Sequence, residues 1–206
     1  MKKYRVGVIG ATGMVGQRFV TLLQEHPWFD LAVLAASESS AGKTYQSAVA
    51  GRWAFPWPVP EKAAEMTVYD AADVNAVASQ CDFVFCAVNM DKAATRALEE
   101  RYAKAETPVV SNNSACRAVS DVPMLIPEIN AAHAPIIAAQ CKRLGTKRGF
   151  VAVKPNCSIQ SYVPALTPLR DFGIKAVSVC TYQAISGAGK TFDRFPEILD
   201  NVIPYI

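Results

Sequence analysis

An α/β fold built on a doubly wound, mainly parallel sheet is predicted for this 206-residue chain by three observations. A short apolar run, Val6, Val8 and Ile9, ends on a glycine cluster, after which Val15, Phe19, Leu22 and Leu23 recur at helical spacing. Further apolar runs of strand length then alternate with helix-length segments, the pattern of βαβ units. Finally, 51% of the residues are hydrophobic, enough to bury a sizeable core.

The first unit is a strand, a tight turn and a helix. Gly10, Gly13 and Gly16 stand in the turn at G-x-x-G-x-x-G spacing, where missing side chains let the backbone turn sharply, approach a ligand and pack helix on strand. The N–H groups and positive dipole end of the helix would face a pyrophosphate. Leu31 to Ala36 reads as the second strand, followed by Ser37-Glu38-Ser39-Ser40-Ala41-Gly42-Lys43. In a doubly wound sheet this turn lies beside the adenosine ribose, where a carboxylate suits a 2′-hydroxyl and hydroxyls with a cation suit a 2′-phosphate. Both signals occur together here, and a plain polar surface loop fits the spacing as well.

From Tyr45 to Pro60 the chain has no period and carries Trp53, Phe55 and Trp57 among prolines, a loop expected to pack on its own domain or at a subunit contact. The alternation then resumes with Met66 to Tyr69 as strand, Ala72 to Ser79 as helix, Phe83 to Val88 as strand, Asp91 to Lys104 as helix and Val109-Val110 as strand. Ligands bind outside the carboxyl ends of such strands, which puts Ser111-Asn112-Asn113-Ser114 on the rim of the glycine turn. Arg117 follows, and its guanidinium could hold a phosphate or carboxylate, although a lone arginine in a polar turn is more often solvated.

Ala131 to Leu144 reads as helix and residues 145–149 as a polar break. A dinucleotide-binding domain is therefore expected over 1–150, and the start of an α+β catalytic or dimerisation domain over 151–206. Phe150 to Val153 is a strand that leads to Lys154-Pro155-Asn156-Cys157-Ser158, then a helix to Leu169 disturbed at Pro164. Ile174 to Tyr182 alternates as a final strand and delivers a second glycine turn, Gln183 to Lys190. Cys157, at the start of a helix, would sit among unpaired N–H groups that favour thiolate and could stabilise an oxyanion. A buried structural cysteine is the alternative, and it is the reading given to Cys81, Cys86, Cys141 and Cys180.

The net charge of +3 is spread without a basic run, which leaves no footprint for nucleic acid. Six cysteines and two histidines show no zinc spacing, so no metal site is expected. No stretch reaches membrane-spanning length, and the chain is read as cytoplasmic with reduced thiols.

Taken together, G-A-T-G-M-V-G, S-x-S-S-A-G-K, S-N-N-S-A-C-R with V-P-x-L-I-P-E-I-N, P-N-C-S and T-Y-Q-A-I-S-G-A-G resemble aspartate-semialdehyde dehydrogenase, in its archaeal and fungal branch. The resemblance runs from Tyr4 to Ile206 and implies a Rossmann-like fold. It also implies reduction of β-aspartyl phosphate to aspartate semialdehyde with NADPH, on the path to lysine, threonine and methionine. By that likeness Cys157 attacks the acyl phosphate, phosphate leaves, and the thioester accepts hydride. Arg117 would receive the substrate phosphate, with Asn113 and Ser114 lining the same pocket and Gln183 orienting the substrate. Gly10 and Thr12, Gly13, Met14 and Val15 would hold the pyrophosphate, Ser37, Glu38, Ser39 and Ser40 the ribose side, and Ser186 and Gly187 the nicotinamide end.

Two departures qualify the likeness. Glu38 should repel a 2′-phosphate, so NADP is expected with NAD tolerated. The chain also stops where the family continues into residues that include its acid/base histidine, a role that neither His26 nor His133 matches. A truncated portion is therefore expected, inactive by itself, from a protein that assembles as a homodimer or homotetramer. A malonyl-CoA-type reductase and a nucleotide-binding module without catalysis are the alternatives.

Overall fold

Six apolar runs pair into one sheet. They are β1 (Tyr4–Ile9), β2 (Phe29–Ala36), β3 (Val68–Asp70), β4 (Phe83–Cys86), β5 (Val109–Ser111) and β6 (Val151–Val153). The spatial order is β3-β2-β1-β4-β5-β6, and every pairing is parallel. The computed structural model describes residues 2–188 and 190–204, in two compact units, Met1–Pro164 and Ala165–Ile206. The sheet belongs to the first. The expected domain boundary near residue 150 lies immediately before β6, which pairs with β5.

The runs read as continuously apolar because successive residues enter opposite cores. Val6, Val8, Leu34 and Ala36 face one cluster, while Ile9, Val33, Ala35, Val84 and Cys86 face the other. Helices cover both faces, α1 (Met14–Leu23), α2 (Tyr45–Val49) and α3 (Glu61–Ala64) one of them and α4 (Val74–Ala78), α5 (Lys92–Lys104) and α7 (Ile137–Leu144) the other, while α6 (Pro127–Asn130) and α8 (Cys157–Leu166) bury no residue. Side chains start four of the helices, Asn156 doing so at α8. Thr44, Asp73 and Asp91 accept the N–H of Ser47, Ala76 and Ala94 at α2, α4 and α5. Gly145, at φ 72°, ends α7 in the left-handed conformation that suits glycine.

Four expectations change. The buried face of α1 is Gly16, Gln17, Val20 and Leu23, while Val15 and Leu22 are 43% and 56% exposed. A Cβ on Gly16 would stand 2.1 Å from the Gly10 carbonyl oxygen, and this close approach, rather than the largest apolar side chains, sets the rotation of the helix. The aperiodic stretch from Tyr45 contains α2, whose Tyr45 is fully buried and donates to the Ala11 carbonyl at 2.9 Å. Its aromatics pack within their own unit, with Trp53 edge-on to Tyr45 and Phe55 stacked on Trp57.

Residues 131–144 are not one helix. A 3-10 turn carrying Pro135, which lacks an N–H to donate, precedes α7. The expected strand from Ile174 to Tyr182 has no ladder partner among the described residues and is irregular, with Ile174, Val177, Val179 and Cys180 exposed. Alternation alone does not make a strand when no neighbour takes its backbone hydrogen bonds. Gly189 of the following turn, like Ile206, lies outside the described residues.

The turn into β6 is held by one carboxylate. Glu106, at φ 60°, accepts the backbone N–H of Lys147, Arg148 and Gly149 at 2.8, 2.7 and 3.0 Å. A Cβ on Gly149 would come to 1.7 Å from the Ala103 oxygen, so the turn lies directly against the end of α5.

Gly16→Ala is expected to force α1 away from β1 and cost about 1–3 kcal/mol, the usual range for overpacking. Denaturant melts would show this as a lower midpoint with an unchanged slope, and an unchanged midpoint would contradict it. The backbone donors hold the Glu106 carboxyl below its ordinary value, as the Arg5 backbone N–H does for Asp82 and Arg143 does for Asp121. A carboxyl depressed in the folded state stabilises above its unfolded pKa, and that contribution disappears as pH falls through the lower folded value. Glu106→Gln should therefore lower Tm at neutral pH, and the gap to the parent should close below about pH 4.5. A gap that stays constant down to pH 2 would count against the arrangement.

Candidate functional site

The three glycines of the first turn divide their work. At Gly10 φ is +83°, and a Cβ would stand 2.5 Å from the Ala87 oxygen, so β1 and the end of β4 meet there. Gly16 carries the helix contact. A Cβ on Gly13 would meet only the Gly10 oxygen, at an ordinary 3.5 Å, and Gly13 is exposed and lines a cleft of about 540 Å³. This cleft lies outside the carboxyl ends of β1, β2 and β4, with Thr12, Gly13, Ala36, Ser37, Arg52 and Asn89 among its walls. The open space above Gly13 at the start of α1 is what a pyrophosphate needs to approach the backbone. Of the expected pyrophosphate residues, Gly10, Thr12 and Gly13 line the cleft, whereas Met14 is half-buried beyond it and Val15 points to solvent.

On the ribose side, Ser37 lines the cleft and Glu38 opens a 3-10 turn on the exposed surface. The Ser39 hydroxyl pairs with that of Ser37 at 3.0 Å, and Lys43 donates to the Ser39 carbonyl at 2.8 Å. Ser40 is turned inward and 1% exposed. A buried amide ties the glycine turn to the next loop. Gln17 donates to the carbonyls of Thr12 and Arg52, each at 3.0 Å, and accepts the Ala54 N–H at 2.8 Å.

The second half of the rim follows β5 and β6. Glu99, fully buried on α5, accepts the Ser111 hydroxyl and, at 3.1 Å, the Asn113 amide, while the Asn113 N–H donates to the Ser111 hydroxyl at 3.0 Å. Asn113 thus directs its amide nitrogen inward, and Ser114 beside it is exposed. Burial, and next the Glu99 charge, push the Cys86 thiol up and raise Cys116 to about 12, so neither is poised as a nucleophile.

Arg117 reaches across to the segment that carries Cys157. Its Nε donates to the Lys154 carbonyl at 3.0 Å and its Nη2 to the Pro155 carbonyl at 3.3 Å. Asn156 then accepts the Ile159 N–H at 3.0 Å, and α8 begins with Cys157, exposed in its first turn. Burial lowers the Lys154 pKa, Arg117 lowers it further and Cys157 opposes them, so these three groups share one neighbourhood. Gln183, Ser186 and Gly187 lie in the second unit. There the Gln183 side chain is against Gly187, where a Cβ would come to 2.8 Å from its Nε2. His133 shares a cavity with Arg117 and lies 3.5 Å from the Asn130 amide nitrogen.

Gln17, Arg52 and Glu99 carry much of this site and are not singled out in the sequence, and Lys154 is named there only as part of the segment leading to Cys157. Gln17 and Glu99 had a signal, since each is a polar residue on a helix face that otherwise turns to the core. Arg52, inside the aperiodic aromatic stretch from Tyr45 to Pro60, had none.

A parallel sheet of this order, with a glycine turn opening on a cleft at its switch point, defines a dinucleotide-binding α/β domain. The chain belongs to the semialdehyde dehydrogenase NAD-binding domain family, whose profile matches residues 5–136. It is 45% identical to an aspartate-semialdehyde dehydrogenase from Archaeoglobus fulgidus, over 99% of this chain and 57% of that protein. The crystal structure of aspartate semialdehyde dehydrogenase with NADP from Candida albicans superposes with a TM-score of 0.80 at 34% identity, covering all of this chain and 56% of that one. Aspartate semialdehyde dehydrogenase II complexed with ASA, from Vibrio cholerae, gives 0.62 at 26% identity, covering 82% of this chain and 48% of that one. The chain thus spans about half the length of the relatives it matches. Among the described residues no group of carboxylates, histidines and thiols could hold a metal, and no helix is long and apolar enough to cross a membrane.

Iodoacetamide at neutral pH is expected to modify exposed Cys157 and Cys180 well before buried Cys81, Cys86 and Cys116. Peptide mass spectrometry over a time course checks the order, and early loss of Cys86 or Cys116 would contradict the described packing.

Proposed function

We propose that this chain supplies the nucleotide cleft and the nucleophile of an NADP-dependent aspartate-semialdehyde dehydrogenase, which reduces β-aspartyl phosphate in the cytoplasm. The observation that carries this reading is the bonding of Arg117 to the carbonyls immediately ahead of Cys157, because it ties an anion-binding guanidinium to the segment that bears a thiol. Similarity to relatives of that name, one of them crystallised with NADP, supports it.

Cys157 Sγ forms a bond to the acyl carbon, the carbon–oxygen bond to phosphate breaks, and the departing phosphate takes the bonding pair. The first-turn N–H groups of α8 stabilise the oxyanion formed in between, and Arg117 offers its remaining donors to the phosphate. Gly10, Thr12 and Gly13 would hold the pyrophosphate and Ser37 the ribose side. NADPH, when bound, would supply the hydride; the carbon–sulfur bond then breaks, Cys157 Sγ takes back the bonding pair and the aldehyde leaves.

Acylation is separable from hydride transfer, so it can be read on this chain alone. β-Aspartyl phosphate is expected to leave a hydroxylamine-labile acyl adduct on Cys157, absent in Cys157→Ala, with malonyl-CoA giving none. An adduct from the CoA ester alone, or on other cysteines only, would overturn the reading.

A further inference from the structure

The aromatic loop after α2 delivers one cation into the nucleotide cleft. Arg52 and Ser37 line it, as does Arg101 of α5, whose Nη2 is tied to the Ala72 carbonyl at 2.7 Å beyond β3, whereas neither Lys43 nor Glu38 is among the lining residues. Its guanidinium is fixed at two points, with Nε donating to the Ala48 carbonyl at 2.8 Å and Nη2 to the Ser40 hydroxyl at 3.0 Å. Its backbone is fixed as well. The Arg52 carbonyl and the Ala54 N–H are both held by the buried Gln17 amide, which also holds Thr12 of the glycine turn. Pyrophosphate seat and guanidinium are therefore positioned by the same side chain.

Resting on the proposed function, we infer that Arg52 is the residue that selects NADP over NAD, by binding the adenosine 2′-phosphate. The turn after β2 lies beside the ribose in this fold, and Arg52 stands against that turn through Ser40. A guanidinium has five N–H donors, of which two are used on Ala48 and Ser40, so the others can fork onto phosphate oxygens. Holding the group in advance removes the rotamer entropy that a mobile lysine would lose on binding. It also resolves the conflict posed by Glu38, whose carboxylate lies on the exposed turn outside the cleft wall.

Titration calorimetry with NADP, NAD, 2′,5′-ADP and 5′-AMP tests this on the chain and on Arg52→Ala. Arg52→Ala should weaken NADP and 2′,5′-ADP by about ten- to a hundredfold, the worth of one or two charged hydrogen bonds, and leave NAD and 5′-AMP within about twofold. Equal weakening of all four, or of none, overturns the assignment. Should Arg52→Ala bind nothing, Arg52→Gln decides, since it keeps a stem and donor for Ser40 without the charge. Loss of the NADP preference there supports the role, and its retention overturns it. A parent chain that binds both dinucleotides equally would refute Arg52 alone, whereas one that binds neither would refute the proposed function.

Discussion

The contact on which the rest of the first unit depends is the approach of α1 to the end of β1. Gly16 sits where any Cβ would run into the Gly10 carbonyl, and Gly10 itself sits where a Cβ would run into Ala87. With those two positions bare, helix and strand meet backbone to backbone. The first turn of α1 then opens on the space beyond the sheet instead of on a layer of side chains. The cleft follows from that geometry, and so does the inward turn of Gln17, which connects the glycine turn to the loop carrying Arg52.

Buried polar side chains do a second kind of structural work by fixing irregular segments that no ladder can hold. Gln17 secures the loop after α2, Glu99 the turn after β5, and Gln140 the edge strand β6. Gln140 takes the Val151 N–H at 2.6 Å and donates to its carbonyl at 2.9 Å, acting as the neighbour that an edge strand lacks. The Val153 N–H and carbonyl are met by Pro123 and Leu125. Each of these groups lies just behind a segment that bears a candidate functional residue, so rigidity is concentrated where position matters most.

Much of this was readable from the sequence for a physical reason. Strands buried on both faces give unbroken apolar runs, and β1, β2, β4 and β5 were visible as such. Gly10 and Cys157 were legible because their types are unusual at a strand end and at a helix start. What escaped was decided by contacts distant in sequence. The burial of Val20 in place of Val15 follows from Gly10, the inward turn of Asn113 from Glu99, and the place of Arg52 from Gln17. The stretch from Ile174 to Tyr182 shows the opposite failure, since it has the period of a strand but no partner among the described residues.

The strand order has a consequence for how the chain can be made. With β1 at the centre, β2 and then β3 add on one side, and β4, β5 and β6 add in turn on the other. Every strand therefore joins at a free edge as it leaves the ribosome, and none must be wedged between two that have already paired. Parallel pairing is slow because each new strand closes a long loop, but this order allows the growing sheet to keep what it has already built at every stage of synthesis.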